Sequence, residues 1–186
     1  MKSVKGFKMI KPKFIGIPKQ SKPNTKIDKA VLKFARSKKH YIGVHGARAM
    51  NKWLPNDLDR PTNDWDLWAK NPDKAQDKLE DKLDDLAKSD MFYEEDIPIS
   101  YAGTSKRGKV CAVKSKLTHE TVAEFIEFPK GSGIYKMSGG IRWETLSHMK
   151  KIHQAILADP DVYEDRKKKS RRDLNRILEF ERRRKR

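Results

Sequence analysis

The fold is decided by residues 41–70, which read YIGVHGARAMNKWLPNDLDRPTNDWDLWAK. The apolar run from Tyr41 to Val44 predicts a short buried strand, and Gly46 permits a tight turn directly after it. Residues 47–54 have the composition of a short helix. A second strand then carries two carboxylates, so the segment is an alternating α/β unit with acidic side chains on its last strand.

Asp64 and Asp66 are the candidate functional residues of this second strand. Side chains of a strand alternate between its two faces, so both carboxylates would lie on one face while Trp65 and Leu67 point into the packed side. Neighbouring carboxylates disfavour each other's ionisation unless a cation lies between them, and Mg²⁺ prefers carboxylate oxygen. The pair therefore indicates a metal-binding face suited to phosphoryl chemistry. The plainer alternative is an exposed strand face or an Asp-rich turn.

The order strand, Gly turn, helix and acidic strand resembles the nucleotidyltransferase superfamily that includes DNA polymerase beta. More narrowly, it is similar to the minimal and abortive-infection toxin branch, in which the turn precedes the pattern Arg-x-Ser/Thr-x-Asp-x-Asp. The matching residues are Val44, His45, Gly46, Ala47, Ala49, Arg60, Thr62, Asp64 and Asp66. Later matches are Gly140 to Leu146, Lys150, Lys151 and Arg171 to Leu174, so the similarity covers roughly residues 27–180. It implies an α/β fold with a polymerase-beta-like nucleotidyltransferase core and a mixed sheet, followed by C-terminal helices.

A third carboxylate is expected on a later strand, and the run from Thr121 to Phe128 offers Glu124 and Glu127. Their spacing of three places them on opposite faces of a strand, so only one can face the Asp pair. The pattern of an acid, an apolar pair and a turn favours Glu124. Glu127 remains the alternative, and an amphipathic strand with one solvated Glu is the interpretation without a function.

The resemblance implies a metal-dependent enzyme that transfers a nucleoside monophosphate from an NTP to a hydroxyl on RNA, such as tRNA, or on a protein. Asp64, Asp66 and Glu124 would be catalytic and would hold two Mg²⁺ ions. The nucleotide would contact Gly46, Ala47, Arg48, Arg60, Thr62 and Lys150. The alternative is a catalytically silent protein of this fold that binds nucleic acid or builds a virion. The Lys-rich N-terminal segment favours that alternative, as does Ala47, which stands where the family has Gly or a small polar residue.

The net charge of +17 is concentrated at the two ends of the chain. Residues 1–26 contain eight Lys and no acid, and residues 166–186 contain twelve Lys or Arg against three acids. The remainder is balanced, with 23 basic and 23 acidic residues. Cationic ends on a balanced body favour a polyanionic partner, with RNA as the first candidate and DNA as the second.

Three regions follow from these patterns. Residues 1–26 form a basic arm whose prolines favour an extended chain, residues 27–136 form the nucleotidyltransferase-like core, and residues 137–186 form a helical part with a basic tail. The arm would contact nucleic acid through Lys11 and Lys13, or a protein partner in virion assembly. The tail would contact nucleic acid through Arg171, Arg172, Arg176, Arg182, Arg183 and Arg184.

Composition excludes several other classes. No segment reaches the length of a membrane span, and the N-terminal segment lacks the apolar centre of a signal peptide. One cysteine, Cys111, cannot form an internal disulfide, and the five histidines lack zinc-ligand spacing. We therefore expect a protein of the cytoplasm or of the interior of a virus particle.

Overall fold

The computed structural model describes residues 25–37, 41–100 and 107–186, and side-chain positions are given for all of these except 98–100 and 107–108. The described residues form a mixed sheet with helices on both faces. The predicted N-terminal arm with Lys11 and Lys13 lies outside the described residues, apart from its last two positions, and so does much of the predicted turn near Gly103. No helix of the described part is both long and apolar enough to cross a membrane.

The sheet contains seven strands within the described residues. In chain order they are β1 (Gly43–Val44), β2 (Trp65–Ala69), β3 (Phe92–Ser100), β4 (Arg107–Ser115), β5 (Thr121–Glu127), β6 (Tyr135–Ser138) and β7 (Ile141–Glu144). Their order across the sheet is β3-β4-β5-β2-β1-β7-β6. The pairs β2/β5 and β1/β7 are parallel, whereas the other neighbouring strands are antiparallel. This bears out the prediction of an α/β fold with a mixed sheet.

Five α-helices accompany these strands in the described part of the chain. They are α1 (Lys26–Ala35), α2 (Gly46–Trp53), α3 (Pro72–Ala87), α4 (Leu146–Ala158) and α5 (Glu164–Arg183), and a short 3₁₀ helix covers Asn56–Leu58. Side chains define several helix starts. The Thr25 hydroxyl accepts a hydrogen bond from the Asp28 amide, the Asn71 side chain accepts one from the Lys74 amide, and Thr145 caps α4.

The core lies between one face of the sheet and the helices α1 and α3. Trp65 and Leu67 of β2 point into it and are almost fully buried, as the alternation of the sequence predicts. The Phe34 ring of α1 packs edge-on against Phe125 of β5, with 6.2 Å between ring centroids. The opposite face of β2 carries Asp66 and Trp68 and is covered by α4, whose His148 ring lies 5.9 Å from that of Trp68. We call this second side the site face.

The predicted boundary after residue 136 falls within β6 of the β6/β7 hairpin. Arg142 of β7 is paired with Gly43 of β1, so β7 is an inner strand of the same sheet. Trp143 belongs to β7, and α4 begins at Leu146. The apolar patterns of α3 and α5 include Leu86 and Leu178, which are exposed. The helical period continues past the edge of the packed surface at both positions.

Candidate active site

The three predicted carboxylates lie on neighbouring strands of the site face. Asp66 of β2 is directly opposite Glu124 of β5 in the parallel register, and Asp64 comes immediately before β2. Glu127 is paired with Ala69 at the end of β5 and is exposed. The register therefore brings Glu124 beside Asp66. We call Asp64, Asp66 and Glu124 the acid triad.

The acid triad gathers negative charge without a direct ion pair. None of its members forms an ion pair with another described residue, and all three are half-buried. The charges of Lys169 and Arg60 act on Asp66 from farther away and offset part of the repulsion. Burial, followed by the charge of Asp64, raises the pKa of Asp66 to about 6. Burial also raises the pKa of Glu124, with further contributions from Asp66 and Asp64. A cation bound between these side chains would remove the repulsion, so the site is electrostatically prepared for one.

Backbone and hydroxyl groups orient the two aspartates. The Thr62 hydroxyl donates a hydrogen bond of 2.6 Å to Asp64 Oδ1. The backbone carbonyl of Asp64 accepts a bond of 3.3 Å from Arg48 Nε. The backbone amide of Ala47 donates to the Asp66 side chain and partly offsets the rise of its pKa. Thr62 and Ala47, predicted as nucleotide contacts, thus contact the acid triad itself.

The turn at Gly46 is enclosed by carboxylates of the chain. Gly46 has a φ of +63°, and its amide donates a hydrogen bond of 3.1 Å to Glu144 Oε2. The other oxygen of Glu144 lies 2.6 Å from His148 Nδ1, and Glu144 is buried. The amides of Gly46 and Ala47 therefore already bind acidic side chains. This geometry departs from the expectation that the turn offers both amides to nucleotide phosphates.

A cavity of about 470 Å³ opens beside Asp66, between the site face, the start of α2 and the helices α4 and α5. Its cationic wall, toward α5, contains Arg60, Arg166 and Lys169, together with the acid Asp173. The rest of the lining is largely apolar, with Trp68, Ile126, Pro129, Met149, Ile152 and Ile156, and it also includes the acids Glu127 and Glu144. Cationic and apolar side chains in one cavity match a ligand with an anionic and an apolar part.

Lys169 is a partly buried cation of the cationic wall, and it lies close to other positive charges. Burial, then the charges of Arg60 and Arg166, lowers its pKa, while Asp66 and Asp173 act in the opposite direction. Lys169 and Arg166 form no ion pair with any described residue. An anion bound between them would offset the repulsion of the crowded cations.

Three predicted nucleotide contacts have other partners. Arg48 is buried, bonds Asp28 at 3.2 Å and lies 4.9 Å from the centre of the Trp65 ring, so its predicted contact with a triphosphate does not match its position. Lys150 bonds Glu181 of α5 at 2.6 Å and is not among the residues that line the cavity. Arg60 does line the cavity, and it bonds Asp173 of α5 at 2.8 Å.

Local sequence patterns do not single out Lys169, Arg166, Glu144 or His148. A signal for the first two is present in α5, where Arg166, Lys169, Asp173 and the buried Ile177 recur at helical spacing on one face. Glu144 and His148 are four residues apart, but β7 and α4 divide them, so no single period connects them. His45 lies beside them, where its ring stacks on that of Trp68 with 4.9 Å between centroids, and burial lowers its pKa to about 4.

The predicted nucleic-acid contacts of the tail form a charged surface on α5. Arg171 lies 3.7 Å from Glu164, and Arg176 lies 3.0 Å from Asp173. Arg182 and Arg183 both form ion pairs with Glu179. Arg172 is exposed and forms no ion pair with a described residue. Acidic partners thus compensate part of the predicted basic surface, and its binding role stays a prediction.

The acid triad fits a divalent cation by its chemistry, since it offers only carboxylate oxygens and none of its members is in an ion pair with a described residue. Its three members do not all come within 4.8 Å of one another. Two other acidic clusters of the described residues are that compact, Asp73/Asp96/Cys111 and Glu80/Asp84/Asp90. Lys109 binds Asp73 and Asp96, and Lys116 binds Asp90, so lysines already supply positive charge to both.

No protein-family model matches this sequence, and no curated protein matches it. Among solved structures, the Megavirus polyadenylate synthase matches with a TM-score of 0.60 and 15% identity, over 82% of this chain and 30% of that chain. JHP933 from Helicobacter pylori matches with a TM-score of 0.44 and 17% identity, over 80% of this chain and 62% of that one. The first of these likenesses concerns the fold alone, and this chain spans less than a third of that synthase.

Proposed function

We propose that this chain is a nucleotidyltransferase that moves a nucleoside monophosphate from an NTP to a hydroxyl, with pyrophosphate as the leaving group. The observation that carries the proposal is the register of Asp66 opposite Glu124, which completes an acid triad beside a cavity with a cationic wall. The fold shared with a polyadenylate synthase supports the same reaction class.

In this proposal the acid triad would hold two Mg²⁺ ions, which is the number that the family resemblance implies. Such ions neutralise charge on the attacking and departing oxygens. The residues of the chain have distinct tasks. Lys169 and Arg166 bind the phosphates, and Arg60, fixed by Asp173, adds positive charge to the same wall. Glu124 would complete the metal site near the attacking hydroxyl and accept its proton.

The acceptor in this proposal is the end of an RNA strand. The net charge of +17 and the arginines of α5 favour a polyanion over a protein side chain. Contacts to phosphates depend steeply on salt and carry little base specificity. Lys11 and Lys13, together with the arginines of the tail, would supply such contacts.

The test is transfer of label from each α-labelled NTP to total RNA or protein in the presence of Mg²⁺. We expect transfer by the native chain and its loss in Asp64→Asn/Asp66→Asn. The matched pair Glu124→Gln and Glu127→Gln separates the two candidate third acids, because Glu124 is paired with Asp66 whereas Glu127 lines the cavity at the end of β5. Equal activity of the two Glu variants would contradict the assigned triad.

Two outcomes of the label-transfer assay would change the proposal. If the native chain transfers no label with any NTP, metal ion or acceptor, and binds nucleic acid as well as the Asp64→Asn/Asp66→Asn variant does, the chain is a binding protein of this fold. Label on protein instead of RNA would keep the reaction and replace the acceptor.

A further inference from the structure

Aromatic side chains continue from the cavity across the site face toward β6. Gly43 of β1 has no side chain, and a Cβ there would lie 2.9 Å from a Phe128 ring atom and 3.1 Å from Trp68. The two rings fill this space, with 5.3 Å between their centroids. Because Trp68 also lines the cavity beside Asp66, this aromatic surface begins at the candidate active site.

Strand register places further planar groups on the same face. Arg142 of β7 is paired with Gly43, and Tyr135 of β6 is paired with Glu144. The Phe128 ring lies 5.6 Å from that of Tyr135 and 5.1 Å from that of Tyr41. The Arg142 guanidinium lies 3.8 Å from the centre of the Tyr41 ring and 5.8 Å from that of Tyr135. We call these four rings and the neighbouring guanidinium the aromatic strip, which consists of Trp68, Phe128, Tyr41, Tyr135 and Arg142.

The outer end of the aromatic strip is accessible and positively charged. Tyr41 is 37% exposed, and the neighbouring Met137 is 51% exposed. Within the described residues Arg142 forms no ion pair; its Nε is buried without a hydrogen-bond partner, and its guanidinium donates hydrogen bonds to the Tyr41 and Tyr135 hydroxyls. An exposed ring beside a cation that no acid pairs is typical of a binding surface rather than of a solvated edge.

We infer that the aromatic strip binds unpaired nucleobases of a single-stranded nucleic acid, which is the acceptor strand of the reaction proposed above. The inference rests on that proposed function for the direction of the strand, from β6 toward the acid triad. Aromatic rings and Arg guanidinium planes stack on bases of any sequence, and nearby cations contact the phosphates. A duplex hides its base faces, so the aromatic strip would discriminate against it.

The test measures binding of a fluorescein-labelled single-stranded RNA, its duplex, and an abasic ribose-phosphate oligomer of equal length, without NTP. The variant is Tyr41→Asn/Tyr135→Thr. Asn tolerates the φ of +48° at position 41, and Thr suits the strand at position 135. Tyr135→Phe keeps the ring, and Tyr93→Ala is the matched control on β3 at the far edge of the sheet. Thermal unfolding identifies any variant that does not fold.

We expect the double variant to bind the single strand about tenfold more weakly or worse, with duplex and abasic binding unchanged. Tyr135→Phe and Tyr93→Ala should bind as the native chain does. Equal losses for the normal and abasic strands would assign the binding to phosphates and overturn the inference. Single-strand binding that is unchanged in a folded double variant would also overturn it. So would native binding to none of the three probes, which would leave the surface to a protein partner.

The inference and the proposed function fail in different ways. If Asp64→Asn/Asp66→Asn binds the single strand normally, and the double tyrosine variant does not, the aromatic strip stands whether or not transfer occurs. If the native chain transfers label to RNA, and the tyrosine variant binds and transfers equally well, the function stands without the aromatic strip.

Discussion

Gly46 lies so close to Asp66 that a Cβ at position 46 would be 2.0 Å from Asp66 Oδ2. The same glycine has a φ of +63°, which L side chains adopt at a penalty of about 1 to 2 kcal/mol. Asp66 can therefore keep its position only because residue 46 has no side chain, since the Asp66 carboxylate occupies the space that a Cβ at position 46 would need.

Gly46→Ala should abolish nucleotidyl transfer, because the new methyl group displaces the Asp66 carboxylate. Gly133→Ala is the matched control, since Gly133 has a φ of +69° and a Cβ there would meet nothing within 4 Å. Both variants carry the backbone penalty, and only the first carries the clash. Transfer assays and urea unfolding of the two check this. Equal activity of the two variants would show that Asp66 does not need its observed position.

Asp66→Asn should stabilise the metal-free chain at neutral pH while it removes activity. Asp66 has a folded pKa of about 6 against an ordinary value of 3.8, so its ionised form opposes folding at neutral pH by at most about 3 kcal/mol. The gain should shrink as pH falls through about 6 and vanish below 3.8, where the acid is protonated in both states. Urea unfolding of both chains in the presence of a chelator, repeated across this pH range, measures the gain in stability. A gain that grows toward acid pH would contradict the assigned burial of the charge.

Lys169→Met should raise the KM for NTP about tenfold, since a charged hydrogen bond to phosphate contributes roughly 1.5 to 3 kcal/mol. Its stability should not fall, because Lys169 is crowded by Arg60 and Arg166. Lys168→Met serves as the control, as Lys168 is 61% exposed and near Asp165. Steady-state kinetics of both variants measure the KM for NTP. A similar KM for the two would place the phosphates elsewhere in the cavity.

Arg48→Met should lower the free energy of unfolding by about 3 to 5 kcal/mol, because it removes the cation from a buried ion pair with Asp28. Lys78→Met removes an exposed pair with Asp81 and should change stability by less than about 1 kcal/mol. Chemical denaturation measures both. If Arg48→Met keeps native stability but raises the KM for NTP, the triphosphate contact first expected for Arg48 would be restored.

The sequence determined the parts of the site that depend on neighbouring residues. Alternation along β2 is enough to place Trp65 and Leu67 in the core and Asp66 on the other face, and the turn at Gly46 follows from local chemistry. The cap at Asn71 is local in the same way. Such features are fixed by backbone geometry within a few residues, so a single sequence is sufficient to predict them.

Only the tertiary structure decided the features that join distant segments. The β2/β5 register selects Glu124 over Glu127, because alternation leaves both faces open until a partner strand is fixed. Packing of α5 over the cavity distinguishes Lys169 from the neighbouring lysines. Pairing with Asp28 makes Arg48 an internal residue. Glu144, supplied by β7, binds the amide of Gly46 from 98 positions away in the chain. Each of these contacts depends on how separate elements meet, which local periodicity does not encode.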